Sequence, residues 1–161
     1  MTKYSLPLTK LINENLSIVM TFAFSQKPLV NLLNTNFAGE WKYLRELLFE
    51  VSELRANKAC LELAMFIRIL DDDEKISDDF KKANHPGFGR LIQSDKTEKE
   101  LSIRDLANKI IHASKLTWDF STENKPILIC KSRQETQEDK KWIQADINLV
   151  NLAAFGGEIM S

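Results

Sequence analysis

Over most of the first 115 residues, apolar side chains recur at intervals of three and four, which is the period of an amphipathic helix. Residues 7–24 form the first such segment, and Pro28 is expected to interrupt the chain because proline removes a helical hydrogen bond. Residues 40–70 contain no Pro or Gly and predict either one long helix or two helices with a break near Ser52. Within them, residues 59–70 are apolar almost all round, which predicts the central core helix.

The pattern changes to a strand period in the C-terminal part of the chain. Residues 116–121 alternate between apolar and polar side chains, and residues 126–131 and 142–147 have the same β-type character. These runs predict three short antiparallel strands at the edge of the helical body. The strands are expected to bury Trp118 and Trp142.

The chain length sets the expected number of domains. At 161 residues, one domain with a single hydrophobic core is the default. The predicted fold class is α+β, mostly α, with a helical bundle over residues 1–115 and a small C-terminal three-stranded antiparallel sheet in residues 116–161. A short helix over residues 149–155 is expected to close the chain and to end at the two glycines that follow.

Residues 77–99 are predicted to be the main connection, with a tight turn that places Phe88 in the core. The Gly-Phe-Gly element in this connection is too short for a phosphate-binding loop. His85 is a candidate second functional histidine, because loops often carry binding and catalytic residues. Thr97, with Glu100 three residues later, predicts the N-terminal cap of the next helix.

Charge and cysteine usage restrict the partners and the compartment. Lys and Arg number 22 and Asp and Glu 23, so the net charge of −1 gives no global attraction to nucleic acid or to an anionic membrane. Cys60 and Cys130 lie in apolar surroundings without metal-ligand spacing, which predicts buried free thiols in a reducing compartment. The apolar run of residues 16–24 is too short to span a bilayer. A cytoplasmic protein with no membrane partner is expected.

Four consecutive acids occupy residues 71–74. They do not predict a metal site, because consecutive helical residues point in different directions and hard-cation loops alternate their ligands around a glycine. A solvated helix end is expected instead. Since the sequence contains no cofactor fingerprint and no metal-ligand cluster, we expect neither a cofactor nor a metal.

Residues 101–115 combine an apolar helical face with chemically useful side chains. In a helix, Arg104, Asn108 and His112 fall on one polar stripe because each follows the last by four residues. Histidine can act as an acid or a base near neutral pH, and arginine is a permanent cation suited to phosphate. A helical histidine beside Arg and Asn is also common as an ordinary surface or hydrogen-bonded residue. Both interpretations stay open.

Residues 107–112, Ala-Asn-Lys-Ile-Ile-His, resemble the signature of the HEPN domain family, which is an Arg, a polar residue, three further residues and a His. Asn108 and His112 hold the polar and His positions, whereas Ala107 stands in place of the Arg. The resemblance implies a helical bundle in which the Arg and His of two subunits meet at a dimer interface and cleave RNA without metal. Because of Ala107, it implies an inactive relative, unless Arg104 supplies the cation from one turn earlier.

Two classes of function follow from these residues. In the first, the protein is a metal-independent ribonuclease of a toxin or defence type, or an inactive relative. His112 is then the base, Arg104 stabilises the phosphate charge and Asn108 orients the imidazole. In the second, the same three side chains form a polar seam in a non-catalytic protein–protein interaction or regulatory module. The candidate partners are RNA or another protein, and a homodimer through the face near residues 101–115 is expected.

A third class, a small-molecule enzyme, has the least support. The sequence contains no nucleophile motif and no cofactor fingerprint on which such an enzyme would depend.

Overall fold

The computed structural model describes residues 7–36, 42–82, 86–133 and 142–160. In chain order, the described elements are α1 (Leu8–Asn36), α2 (Lys42–Arg45), a π-helical segment (Glu46–Val51), α3 (Ser52–Glu74), α4 (Ile76–Lys82), β1 (Gly89–Gln93), β2 (Glu98–Glu100), α5 (Ile103–His112), β3 (Lys115–Asp119), β4 (Ile127–Lys131), β5 (Trp142–Asn148) and α6 (Leu149–Glu158). The prediction of an α+β, mostly α protein is confirmed. His85 lies outside the described residues.

The sheet has five antiparallel strands in the order β2-β1-β5-β4-β3, so the prediction of a three-stranded C-terminal sheet is wrong. The predicted strands correspond to β3, β4 and β5, but β1 and β2 come from the region expected to be a connection. The residues of β2 are exposed Glu, Lys and Glu, which carry no strand alternation. This edge strand exists because β1 pairs with it on one side and with β5 on the other.

The connection before α5 is therefore a hairpin. Phe88 is buried as predicted, but Thr97 does not cap a helix. Its hydroxyl lies within hydrogen-bonding distance of the side chains of Gln93 and Asp95 in the hairpin turn. The cap of α5 is Ser102, whose hydroxyl accepts a hydrogen bond from the Asp105 N–H at 3.1 Å. A serine at this position satisfies a backbone donor that the first turn leaves free.

Helix α1 continues through Pro28, contrary to prediction, and spans 29 residues. Proline inside a helix costs about 3 kcal/mol because it removes one hydrogen bond and crowds the preceding turn. The helix is buried both before and after this position, at Phe22 and at Leu33, and this packing offsets the cost. By length and composition α1 is also long and apolar enough to cross a membrane, a test that buried core helices pass as well.

Helix α3 is buried on one face only, which corrects the expectation of a core helix that is covered all round. Cys60, Leu63 and Ile67 on that face have at most 1% exposed surface. They belong to one core cluster that also contains residues of α1, α5, the sheet and α6. Of the two alternatives for residues 40–70, the described part remains helical without a break at Ser52, and the π-helical segment that ends at Val51 is a change of helix type. Cys60 and Cys130 are buried free thiols, as expected.

Helix α6 extends past the two glycines expected to end it and stops at Glu158. Gly156 is buried against α1, where a Cβ would overlap the side chain of Leu16. Its carbonyl oxygen accepts a hydrogen bond from Asn13 Nδ2 at 2.9 Å. The glycine is thus used for close approach between α6 and α1.

We predict opposite effects of alanine at two glycines. Gly89 begins β1 with a φ of +132°, and an added Cβ would overlap the carbonyl oxygen of Asp146 on β5. Gly89→Ala should therefore lower the free energy of unfolding by about 3 kcal/mol. Gly157 has no atom within 4 Å of a built Cβ, so Gly157→Ala should raise it by about 0.5–1 kcal/mol. Denaturant titration of both variants tests this, and equal effects would contradict it.

Candidate functional site

Helix α5 carries the three predicted site residues along the edge where it packs against α3. Its buried face is formed by Ile103, Leu106, Ala107 and Ile110. Arg104, Asn108 and His112 follow each other at intervals of four on the remaining surface, so the predicted polar stripe exists as a helical face. The interactions of each member show what the stripe can do chemically.

Arg104 is bound to two carboxylates at the C-terminal end of α3. Its Nη1 donates a hydrogen bond to Asp71 Oδ2 at 3.0 Å and another to Asp72 Oδ1. The side chain of Arg104 is 34% exposed, so these ion pairs lie at the rim of the helix contact. Two adjacent carboxylates neutralise the guanidinium and compete directly with any phosphate that approaches it.

The sequence predicted that residues 71–74 form a solvated acidic helix end. Asp71 does not fit this prediction, because it is only 6% exposed. Its Oδ1 accepts a hydrogen bond from the backbone N–H of Ser77 at 2.8 Å, in the first turn of α4. Burial raises the pKa of Asp71, but hydrogen bonds from Ser77 and Arg104 outweigh burial and hold the pKa below its ordinary value. The carboxylate therefore links α3, α4 and α5. Asp72, Asp73 and Glu74 are exposed, as predicted.

Asn108 is held by a cation that the sequence analysis did not single out. Nη1 of Arg68, on α3, donates a hydrogen bond to Asn108 Oδ1 at 2.9 Å. Both side chains are half-buried. Because these two residues are 40 positions apart, no local pattern signals the contact. His112 is the last residue of α5 and is exposed.

Ala107, at the position of the HEPN signature Arg, has no exposed surface. It lies on the face of α5 that packs into the core, away from the polar stripe. A cation at this position would be directed into the core. The basic group nearest to Asn108 in the described structure comes instead from α3, as Arg68.

Lys109 lies beside the stripe but is also engaged. Its Nζ is 5.0 Å from the ring centroid of Trp142, a distance suited to a cation–π contact. Burial lowers the pKa of Lys109, nearby Asp105 opposes this, and Lys99 adds to the lowering. Trp142 and Trp118 are half-buried, less covered than predicted. Trp118 Nε1 donates a hydrogen bond to Asn57 Oδ1 of α3 at 2.9 Å.

A line of exposed apolar side chains runs along the solvent side of the π-helical segment and α3. We call it the apolar crest, and its members are Leu47 (60% exposed), Val51 (54%), Leu54 (71%), Leu61 (43%), Met65 (55%) and Ile69 (38%). Lys58 fills the gap in their spacing. In a helix these positions share a face, and that face is opposite the buried Cys60, Leu63 and Ile67.

A groove of about 610 Å³ lies between α1, the π-helical segment and the turn after β3. Lys27 and Glu123 form an ion pair at its edge, with Nζ and Oε1 3.3 Å apart. Its described lining combines Val30, Phe49 and Phe120 with charged side chains but includes no His, Cys or Asp. No group of His, Cys, Asp or Glu among the described residues could hold a metal ion.

No family model matches the chain, no curated protein matches it, and no solved structure matches its fold. The polar stripe and the apolar crest are therefore interpreted from their own geometry.

We predict that the Asp71 carboxylate stabilises the fold in a pH-dependent way. Its pKa is lower in the folded protein than the ordinary value, so its contribution is complete above pH about 4 and is lost as the pH falls through the folded value. At neutral pH, Asp71→Asn should lower the free energy of unfolding by about 1.5–3 kcal/mol, since hydrogen bonds to a charged group are lost. Chemical denaturation between pH 7 and pH 3 measures this difference, which should shrink towards the acid end.

Asp73→Asn is the matched control, because Asp73 is an exposed acid of the same run. It should change the free energy of unfolding by no more than about 0.5 kcal/mol. Equal effects of the two substitutions would show that Asp71 is an ordinary surface acid.

Proposed function

We propose that this protein is a non-catalytic protein–protein interaction module whose contact surface is the apolar crest. The observation that carries the proposal is the line of six large apolar side chains, 38–71% exposed, on the side of α3 opposite the core. Together they expose roughly 600 Å², which is the upper end of the roughly 300–600 Å² reached by the largest apolar patch of a typical monomer. Such a patch commonly marks a protein interface.

The polar stripe has a supporting role in this proposal. Arg104 with Asp71 and Asp72, and Arg68 with Asn108, join α5 to the C-terminal half of α3. Hydrogen-bonded charged groups at two points along the contact limit rotation of one helix against the other. The apolar crest therefore lies on a helix, α3, whose other side is bonded to α5. This corresponds to the polar seam of the second functional class.

The proposal places the protein in the cytoplasm and does not include a membrane partner. Two buried free thiols, Cys60 and Cys130, support a reducing compartment. The buried face of α1 also supports its use as a core helix, since Ile12, Leu16 and Val19 are each at most 4% exposed.

Site-directed photo-cross-linking tests the module. Leu61→Cys places a reactive thiol on the crest, where a maleimide benzophenone can be attached. Burial raises the pKa of the Cys130 thiol to about 12 and raises the pKa of Cys60 as well, so neither native thiol should react. We expect illumination in an extract of the source cells to give a discrete cross-linked species that excess unlabelled parent protein competes away.

Val150→Cys on α6 is the matched control, because Val150 is similarly exposed at 40% but lies on another helix. It should give no such species. No adduct from the crest label, or the same adducts from both labels, would overturn the interaction module.

A metal-independent ribonuclease is a second candidate, favoured by the position of Arg68. This arginine supplies a cation next to Asn108, on the helix face that ends at His112, where the HEPN resemblance lacks its own Arg. Against it stand the carboxylates that neutralise Arg104 and the net charge of −1. RNA has to approach this edge against Asp72, Asp73 and Glu74.

A metal-free RNA cleavage assay separates the two candidates. We expect no cleavage of single-stranded RNA by the parent in the presence of a chelator. If the parent does cleave, a general base at position 112 requires His112→Ala to lose at least about 10²-fold in rate. Arg68→Met should then lose activity too, while Lys131→Ala at an exposed strand position serves as the control. That pattern would overturn the non-catalytic proposal.

A further inference from the structure

The apolar crest has the spacing of a coiled-coil seam. From Val51, the positions 51, 54, 58, 61 and 65 follow one another by alternating steps of three and four, and Ile69 follows Met65 by four; all lie at the end of the π-helical segment or within α3. Alternating steps of three and four place the seam residues where two helices can interlock side chains. The occupant that such a crest fits is another helix lying along it.

The crest is complementary to itself when two copies run in opposite directions. In the antiparallel register centred near residue 60, Leu54 lies opposite the partner's Met65. Lys58 lies opposite the partner's Leu61, so its aliphatic stem packs in the seam while its ammonium stays at the solvent edge, 3.8 Å from Glu62 Oε1 of its own helix. Each of these layers occurs twice, because the two copies are related by a two-fold axis.

Charges beside the crest agree with the same register. Arg55 and Glu62 lie on one flank of α3, seven residues apart. Antiparallel pairing places Arg55 beside the partner's Glu62, and symmetry repeats this ion pair at the other side of the axis. Parallel pairing would instead place Lys58 against the partner's Lys58 and Asp72 against the partner's Asp72. Like charges facing each other disfavour that arrangement.

The area of the two crests is comparable to that of a small specific interface. Two crests of roughly 600 Å² each offer at most roughly 1,200 Å² in total, which is the lower bound of specific interfaces. The flanking stems of Arg55, Lys58 and Glu62 add to this area. A two-fold contact uses the same patch on both copies, so it closes at two chains.

We propose that the apolar crest binds a second copy of this chain, with the two α3 helices antiparallel about an axis near residue 60. The inference rests on the proposed function and names its partner. It also moves the expected homodimer contact from the face near residues 101–115 to α3. In the dimer, the polar stripe of α5 flanks the interface without forming it.

Charge substitution in one layer tests the pairing and its direction. Leu54→Glu or Met65→Lys should each raise the dimer dissociation constant by at least about 10²-fold, because an unpaired charge is placed in an apolar contact. The double variant should recover to within about 10-fold of the parent, because the antiparallel register pairs each new carboxylate with a new ammonium. Sedimentation equilibrium from low to high micromolar concentration measures the four dissociation constants.

Val150→Glu is the matched control, since it adds a charge at an exposed apolar position of α6 and should leave dimerisation unchanged. The crest side chains make no part of the core, so circular dichroism and the melting temperature should show that every variant folds.

Each other outcome overturns the inference. A parent that stays at 18.5 kDa up to high micromolar concentration excludes self-association. Dimers that persist in both single variants place the interface elsewhere, and a double variant that stays monomeric excludes the antiparallel register. The cross-linking test separates these failures from failure of the module itself. If the crest label gives a specific adduct whose mass is not twice that of the chain, the interaction module stands, but its partner is a different protein and the dimer is excluded.

Discussion

Burial of one face of α3 brings the two parts of the chain together, because α1 precedes this helix, α5 follows it, and both pack against it. The N-terminal and C-terminal halves of α3 are therefore covered from different directions, with Asn57 reaching Trp118 and Arg68 reaching Asn108. The opposite face of α3 stays exposed, because α1 and α5 both pack on the buried face. The apolar crest is the consequence of this one-sided burial.

The polar groups between α3 and α5 engage two side chains of the polar stripe, Arg104 and Asn108. Arg104 offers the permanent charge that phosphate chemistry needs, but Asp71 and Asp72 already bind it. Asp71 is itself committed to Ser77 at the start of α4. A side chain that holds three helices in place is poorly suited to change partners during a reaction. These contacts give Asp71 and Arg104 a structural role between α3, α4 and α5.

Several elements were predictable because their signals are local. The alternation in β3, the β-type character of β4 and β5 and the helical period of α5 need no information from distant residues. The shared face of Arg104, Asn108 and His112 follows from helical spacing. In contrast, β2 depends on pairing with β1, and α1 passes Pro28 because packing on both sides outweighs the local cost. Such non-local contacts produce no periodic pattern of apolar residues that the sequence could reveal.

The sequence by itself determined that the chain is α+β and mostly helical, and it placed the three stripe residues on one helical face. Only the tertiary structure decided which apolar face of α3 is covered, because residues 59–70 carry apolar side chains on both faces, with Leu63 on one and Leu61 on the other. Leu63 has no exposed surface and Leu61 is 43% exposed. The difference arises from where α1 and α5 pack, and it turns a predicted core helix into one with an exposed apolar face.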